Sequence, residues 1–209
     1  MTHGPGVFLA FEGGEGAGKS TQVTALAALL VERGHDVVVT REPGATPVGA
    51  AIRALVLDPA SSGLSARAEA LLYAADRAEH VDAVIAPALS RGAVVITDRY
   101  VDSSLAYQGA GRPIDPLEVE RVNAWATVGL RPDLTVLLDV DPAVGLTRSG
   151  QTDRLEAEPL VFHQAVRAAF LTLAAREPAR YVVIAADQDP ELVQELVASA
   201  VTALLESTT

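Results

Sequence analysis

Val7-Phe8-Leu9-Ala10-Phe11-Glu12-Gly13-Gly14-Glu15-Gly16-Ala17-Gly18-Lys19-Ser20-Thr21 is the stretch that decides the fold. Five consecutive apolar residues, Val7 to Phe11, have the length and continuity of a strand buried on both faces. Gly13-x-x-x-x-Gly18-Lys19-Ser20 then follows the spacing of a phosphate-binding loop, and an amphipathic helical pattern comes after it. The spacing has a mechanical basis. Glycines let the backbone curl with its N–H groups turned inward around an anion, and the helix that begins near Lys19 adds the positive end of its dipole. The spacing places Lys19 on the outer phosphates of a nucleotide held by residues 13–21 and the Ser20 hydroxyl on Mg²⁺. Lys19 is the only lysine in the chain. A protein that otherwise uses arginine for positive charge, yet places a compact ammonium here, fits a site too narrow for a guanidinium fork.

The chain has 209 residues, 49% of them hydrophobic, and a formal net charge of −11. That length suits one α/β domain over residues 1–209 with a sizeable core. The acidity argues against a nucleic-acid binder, and it requires any nucleotide site to gather its arginines locally. With no cysteine, disulfides and thiol catalysis are excluded. The opening Met-Thr-His-Gly-Pro-Gly lacks the basic and apolar regions of a signal peptide, and no uninterrupted apolar run is long enough to span a membrane. A cytoplasmic enzyme is expected.

Further buried strands are expected over residues 36–40, 93–97, 134–140 and 181–185. Helices are expected between them: one capped by Thr46 and running to Leu57, one from Ser65 to Arg91 bent at Pro87, and others over 116–127, 142–148, 159–176 and from Pro190. Val101 to Arg112 reads as a polar segment and 149–156 as a mobile loop. Five strands with intervening helices imply a P-loop NTPase-type parallel sheet covered on both faces.

With its one lysine already used, the chain cannot carry the Asn-Lys-x-Asp guanine motif of a GTPase, and 209 residues leave no room for a motor's extra domains. A small-molecule kinase remains. Arg41, Arg53, Arg77 and Arg99 all fall at, or face, the carboxyl edge of strands two and three, where ligands of open α/β sheets collect. Guanidiniums bind phosphate bidentately, so the cluster predicts an acceptor that already carries a phosphate and supplies its own nucleophilic oxygen; a nucleoside hydroxyl would need a carboxylate base. Asp98, directly after a hydrophobic strand, is the expected metal carboxylate beside Ser20. Glu15 is either a partner of a sugar hydroxyl or metal-bound water, or a solvated loop charge. His80 and His163 read as helix-face residues, and Trp125 as packing or a subunit interface.

Glu12-Gly-Gly-Glu15-Gly-Ala-Gly-Lys-Ser-Thr21, Arg41-Glu-Pro43-Gly44, Tyr73-Ala-Ala-Asp-Arg77, Asp98-Arg-Tyr100 with Tyr107-Gln108, and Arg131-Pro-Asp-Leu134 together resemble bacterial thymidylate kinases, in family order and over nearly the whole chain. The resemblance implies phosphoryl transfer from ATP to dTMP with Mg²⁺, in a homodimer. It implies that Tyr73 stacks on the base, that Arg77 hydrogen-bonds it, and that Arg99 and Arg41 hold the acceptor phosphate with Pro43 and Arg53 close by. Tyr107 would sit against the sugar, with Ser104 and Gln108 lining the same pocket. The family divides by where its catalytic arginine lies. Glu15, Gly16 and Ala17 leave none in this phosphate loop, so it is expected from the lid as Arg154, with Arg148 stacking on adenine and an ion pair to Asp153 or Glu156 as the plainer role for Arg154. Lys19, Arg154, Arg99, Asp98 and Glu15 are thus the expected catalytic residues. A deoxynucleoside kinase and a non-catalytic nucleotide switch are the competing readings.

Overall fold

A computed structural model describes residues 5–149 and 153–207. Five parallel strands, β1 (Val7–Glu12), β2 (Val37–Arg41), β3 (Val94–Asp98), β4 (Leu134–Asp139) and β5 (Tyr181–Ala185), form one sheet in the order β2-β3-β1-β4-β5. β1 is buried along its whole length, as its unbroken apolar run requires. Its alternate residues serve the two faces. Leu9 and Phe11 join Val23, Leu26 and Leu30 of α1 (Lys19–Glu32) and Val193, Val197 and Val201 of α9 (Pro190–Ser207) on one face. Phe8 and Ala10 face the other way, against Val81, Ile85 and Leu89.

The register brings Phe11 and Arg41 level with Asp98. The chain reverses direction of progression at β1, with β3 on one side and β4 on the other. The crevice at the carboxyl ends of these strands is therefore the topological switch point of the sheet.

The remaining helices are α2 (Pro47–Leu57), α3 (Ala66–His80), α4 (Ala86–Ser90), α5 (Val101–Ser104), α6 (Pro116–Ala126), α7 (Pro142–Ser149) and α8 (Leu160–Arg176). Thr46 caps α2 as expected, its Oγ1 accepting from the Gly49 N–H at 2.9 Å. Three expectations change. The expected bend near Pro87 is a π-helical turn over Val81–Ile85, just ahead of a residue that lacks the N–H needed to continue the α ladder. The polar segment after β3 is helical, α5 passing into a second π turn over Leu105–Ala110; its polar residues face a site and its apolar ones the core, so simple periodicity hid it. The expected loop at 149–156 divides. Ser149 closes α7, residues 150–152 lie outside the described residues, and Asp153 folds the rest into a turn by accepting from the Leu155 and Glu156 N–H groups at 2.8 and 2.9 Å. Among the described residues no helix is long and apolar enough to cross a membrane.

α7 abuts the phosphate-loop backbone. A Cβ at Gly16 would lie 1.9 Å from the Gly145 carbonyl oxygen, and a Cβ at Gly145 would lie 2.2 Å from the Glu15 carbonyl oxygen. Neither position has room for a side chain. Gly145→Ala is expected to lower unfolding free energy by about 1–3 kcal/mol, read as a reduced midpoint in urea with unchanged m; an unaltered midpoint would show that the two backbones separate at no cost.

Candidate active site

Gly13, Gly16 and Gly18 take positive φ values of 140°, 64° and 85°, a backbone path that L side chains resist. Gly18 begins α1 with no side-chain cap and no acidic residue in the first turn, so the helix's first N–H groups have no side-chain acceptor there. Lys19 lies back across the loop, Nζ donating to the carbonyls of Gly13 (3.1 Å) and Gly14 (2.9 Å). Burial, and then Arg99, pull its ammonium below the ordinary lysine range, against Glu15, Asp98 and Glu12. At the next residue, the Ser20 hydroxyl donates to Asp98 Oδ2 at 2.8 Å. The two expected metal ligands are thus adjacent, and a hydroxyl with a carboxylate is the hard oxygen pair that suits Mg²⁺ once phosphate oxygens join it.

Arg99 follows Asp98 with φ 71°, a left-handed conformation costing of order 1–3 kcal/mol that persists only where surroundings enforce it. Its N–H donates to the Phe11 carbonyl, and the unusual backbone brings the side chain back over the loop. Nη1 donates to the Gly13 carbonyl and to Ser103 Oγ, both at 3.1 Å, and Nη2 reaches Glu15 Oε1 at 2.7 Å. The guanidinium also lies 5.0 Å from the Tyr107 ring centroid, and Tyr107 donates its hydroxyl to Glu15 Oε1 at 2.7 Å. Glu15 is therefore no solvated loop charge. Burial alone would raise it, but Arg99, Lys19 and Tyr107 together bring it down to about 2.

A cavity of about 180 Å³ opens beside this cluster. Arg53, Tyr73, Arg77 and Arg99 line it, as do Pro43, Ser104, Tyr107 and Gln108, so most of the expected acceptor residues converge. Arg53 Nη1 donates to the Pro43 carbonyl at 3.0 Å. Tyr73 is buried, and its hydroxyl has no partner among the described residues. Arg77 is 1% exposed. Its Nε donates to Glu42 (2.7 Å), Nη1 to Ser104 Oγ (3.0 Å) and to Asn123 Oδ1, and Nη2 to the Tyr100 carbonyl (3.0 Å). A guanidinium has five N–H groups; four have partners among the described residues, which leaves one for a ligand.

Three expected residues stand elsewhere. Arg41 is exposed and does not line the cavity. Successive strand residues face opposite ways, and Glu42 is the one turned inward. Arg148 is exposed and donates to the Ala186 carbonyl at 2.9 Å, beyond β5. Arg154 is buried; Nε donates to the Val56 carbonyl at 2.8 Å and Nη2 lies 2.6 Å from Glu69 Oε2. Its ion pair is thus with Glu69, not with Asp153 or Glu156, while Asp153, Leu155 and Glu156 beside it do line the cavity.

Sequence reading missed the acids that hold these arginines. Glu42 accepts from Arg77 and pairs with His80 Nδ1 at 2.8 Å, and His80 Nε2 meets Thr40 Oγ1 at 2.7 Å. His80 is wholly buried, so it is no surface residue of its helix. His163 lies on the buried face of α8. Glu12 accepts from the Tyr100 N–H (2.8 Å), the Ser103 N–H (3.1 Å) and Ser103 Oγ (2.6 Å). Asp76 accepts from the Gly44 N–H at 2.9 Å, pinning the turn after β2 to α3. The available signal was Glu12 itself, a carboxylate ending a fully apolar strand.

Comparison with known proteins agrees with this geometry. Residues 11–197 match the family model described as thymidylate kinase. The chain is 54% identical to the thymidylate kinase of Cutibacterium acnes over 96% of its own length and 98% of the relative's. It is 55% identical to that of Clavibacter sepedonicus over 90% of each. A crystal structure of thymidylate kinase from Ehrlichia chaffeensis superposes with a TM-score of 0.79 at 34% identity, covering 95% of this chain and all of that one. With the phosphate loop, the Ser20–Asp98 pair and the arginine-lined cavity in place, the chain belongs to the thymidylate kinase family of phosphotransferases.

Proposed function

We propose that residues 1–209 act as a single cytoplasmic kinase domain that transfers the γ-phosphoryl group of ATP to dTMP, giving dTDP and ADP. The observation that carries this reading is the position of Arg99. Its guanidinium bonds to the phosphate loop through Gly13 and also lines the second cavity, the seam where a donor and an acceptor phosphate would meet.

Residues 13–21 cradle the donor phosphates with Lys19 on the outer ones. Ser20 and Asp98 hold Mg²⁺, which when bound offsets phosphate charge. Arg99, with Arg53 nearby, orients the acceptor phosphate. Tyr73 supplies an apolar face for the base, and stacking of this kind contributes about 1–3 kcal/mol. The spare N–H of Arg77 donates to a base carbonyl, and Tyr107 stands against the sugar. Arg41 is assigned to the rim and Arg148 to the adenine side. Arg154 remains the lid arginine, and in this role it exchanges Glu69 for phosphate oxygens.

The state of Glu15 favours a phosphorylated acceptor over a nucleoside. A carboxyl held down to about 2 by Arg99 and Tyr107 is a poor proton acceptor near neutral pH, whereas a phosphate monoester is already largely dianionic there. A homodimer is supported by Trp125, 84% exposed on α6. Leu71 of α3 and Val128 just past α6 are also well exposed, an apolar surface that a second copy could cover.

With ATP and either dTMP or thymidine as acceptor, ADP release is expected only with dTMP; turnover of thymidine alone would replace this reading with a nucleoside kinase. Lys19→Ala is expected to lower turnover by at least about a hundredfold with an unchanged melting temperature, measured by coupled assay and calorimetry. Arg154→Ala is expected to lower kcat by at least about tenfold while changing KM for dTMP less; an unchanged kcat would leave Arg154 as an anchor for the turn at Asp153.

A further inference from the structure

Gln108 cannot choose which end of its amide it presents to the cavity. Its Nε2 lies 3.0 Å from Glu69 Oε1. An amide has one donor end and one acceptor end, while an ionised carboxylate only accepts, so the nitrogen must face Glu69. Two guanidiniums face that carboxylate, and either one leaves it paired as an acceptor. Arg112 donates Nε to Oε1 and Nη2 to Oε2, both at 3.3 Å, and Arg154 Nη2 sits 2.6 Å from Oε2. Arg112 is itself held by Glu158 at 2.7 Å and lies 5.0 Å from the Phe162 ring centroid. Glu69 is 1% exposed and Gln108 2%, so water competes little for the contact. With Nε2 taken, Gln108 Oε1 has no donor among the described residues, and the residue lines the same cavity as Arg77 with its one spare N–H.

The cavity wall thus offers one donor from Arg77 and one acceptor from Gln108. That pair complements a pyrimidine whose ring carbonyl stands beside a ring N–H. A pyrimidine with an amino group beside a bare ring nitrogen presents the opposite order. We propose that Glu69, which need not touch the substrate, is the positioning residue that fixes this order by locking the Gln108 amide, and so makes the site reject aminopyrimidine nucleotides. The proposal rests on reading the cavity as the acceptor-base pocket.

The test compares kcat/KM for dTMP and dCMP in the full chain with ATP. In Glu69→Gln the residue-69 amide can donate to Gln108 Oε1, and the Gln108 amide is free to turn. The dTMP:dCMP ratio should then fall at least about tenfold. Arg112→Gln disturbs the same carboxylate without removing it and should move the ratio less than about twofold. In Glu69→Gln/Gln108→Glu the acceptor-only group is restored at the cavity, and the ratio should recover. An unchanged ratio in Glu69→Gln overturns the proposal. An equal fall in Arg112→Gln overturns it too, because the effect would then belong to packing of the cluster. If the unaltered chain uses dCMP as readily as dTMP, the base-pocket reading itself fails, and this is seen before any variant is made. Should Glu69→Gln not fold, the unaltered chain still decides by NMR. Solvent exchange of the Gln108 side-chain amide protons should be slowed at least about tenfold relative to free glutamine, and exchange at the free rate overturns the assignment.

Discussion

One guanidinium holds the two halves of this site together. Arg99 is attached to β3 by a left-handed backbone, and its charge is shared between a phosphate-loop carbonyl and Glu15. The strain is compensated by contacts that exist only once β1 and β3 are paired, such as the Arg99 N–H to the Phe11 carbonyl. Sheet formation therefore precedes the site logically. The strand pairing sets the backbone, the backbone sets the guanidinium, and the guanidinium depresses Glu15.

Positive charge in an acidic chain is handled, among the described residues, by pairing the arginines in and beside this site with acids. Arg77 has Glu42, Arg99 has Glu15, and Arg154 has Glu69. Such pairs contribute little net stability, because desolvation offsets much of their attraction, but removing one member is costly. Their value here is geometric. Glu42 and Glu15 each fix a fork that lines the cavity, whereas Glu69 holds Arg154 outside it. Thr40, His80, Glu42, Arg77 and Asn123 form one such chain across β2, α3 and α6, linking the sheet edge to the base side of the cavity.

Much of this was legible in the residues. The loop spacing, the unbroken apolar strands and the Thr46 cap each rest on local rules, and local rules survive in a sequence. What was not legible depends on partners distant along the chain. Glu42 and Arg77 are 35 positions apart, and nothing in either neighbourhood announces the other. His80 reads only as a residue on a helix face; that it is buried against Glu42 and Thr40 depends on partners 38 and 40 positions away. Arg41 was credited to the cavity because it ends a strand at the ligand edge; side-chain alternation gave that place to its neighbour. Arg154 is expected at phosphates by resemblance; its partner Glu69 lies on α3, far earlier in the chain, and no local pattern announces that pair.

The backbone contact between Gly16 and Gly145 has a consequence for how such enzymes diverge. Any residue larger than glycine at position 16 collides with the carbonyl oxygen of Gly145, so a guanidinium cannot be placed there by one substitution. The chain would first have to move α7 away, and α7 is the helix that leads directly into the lid. Placing a cation at that point is therefore a change of two segments at once, the loop and α7, rather than of one residue.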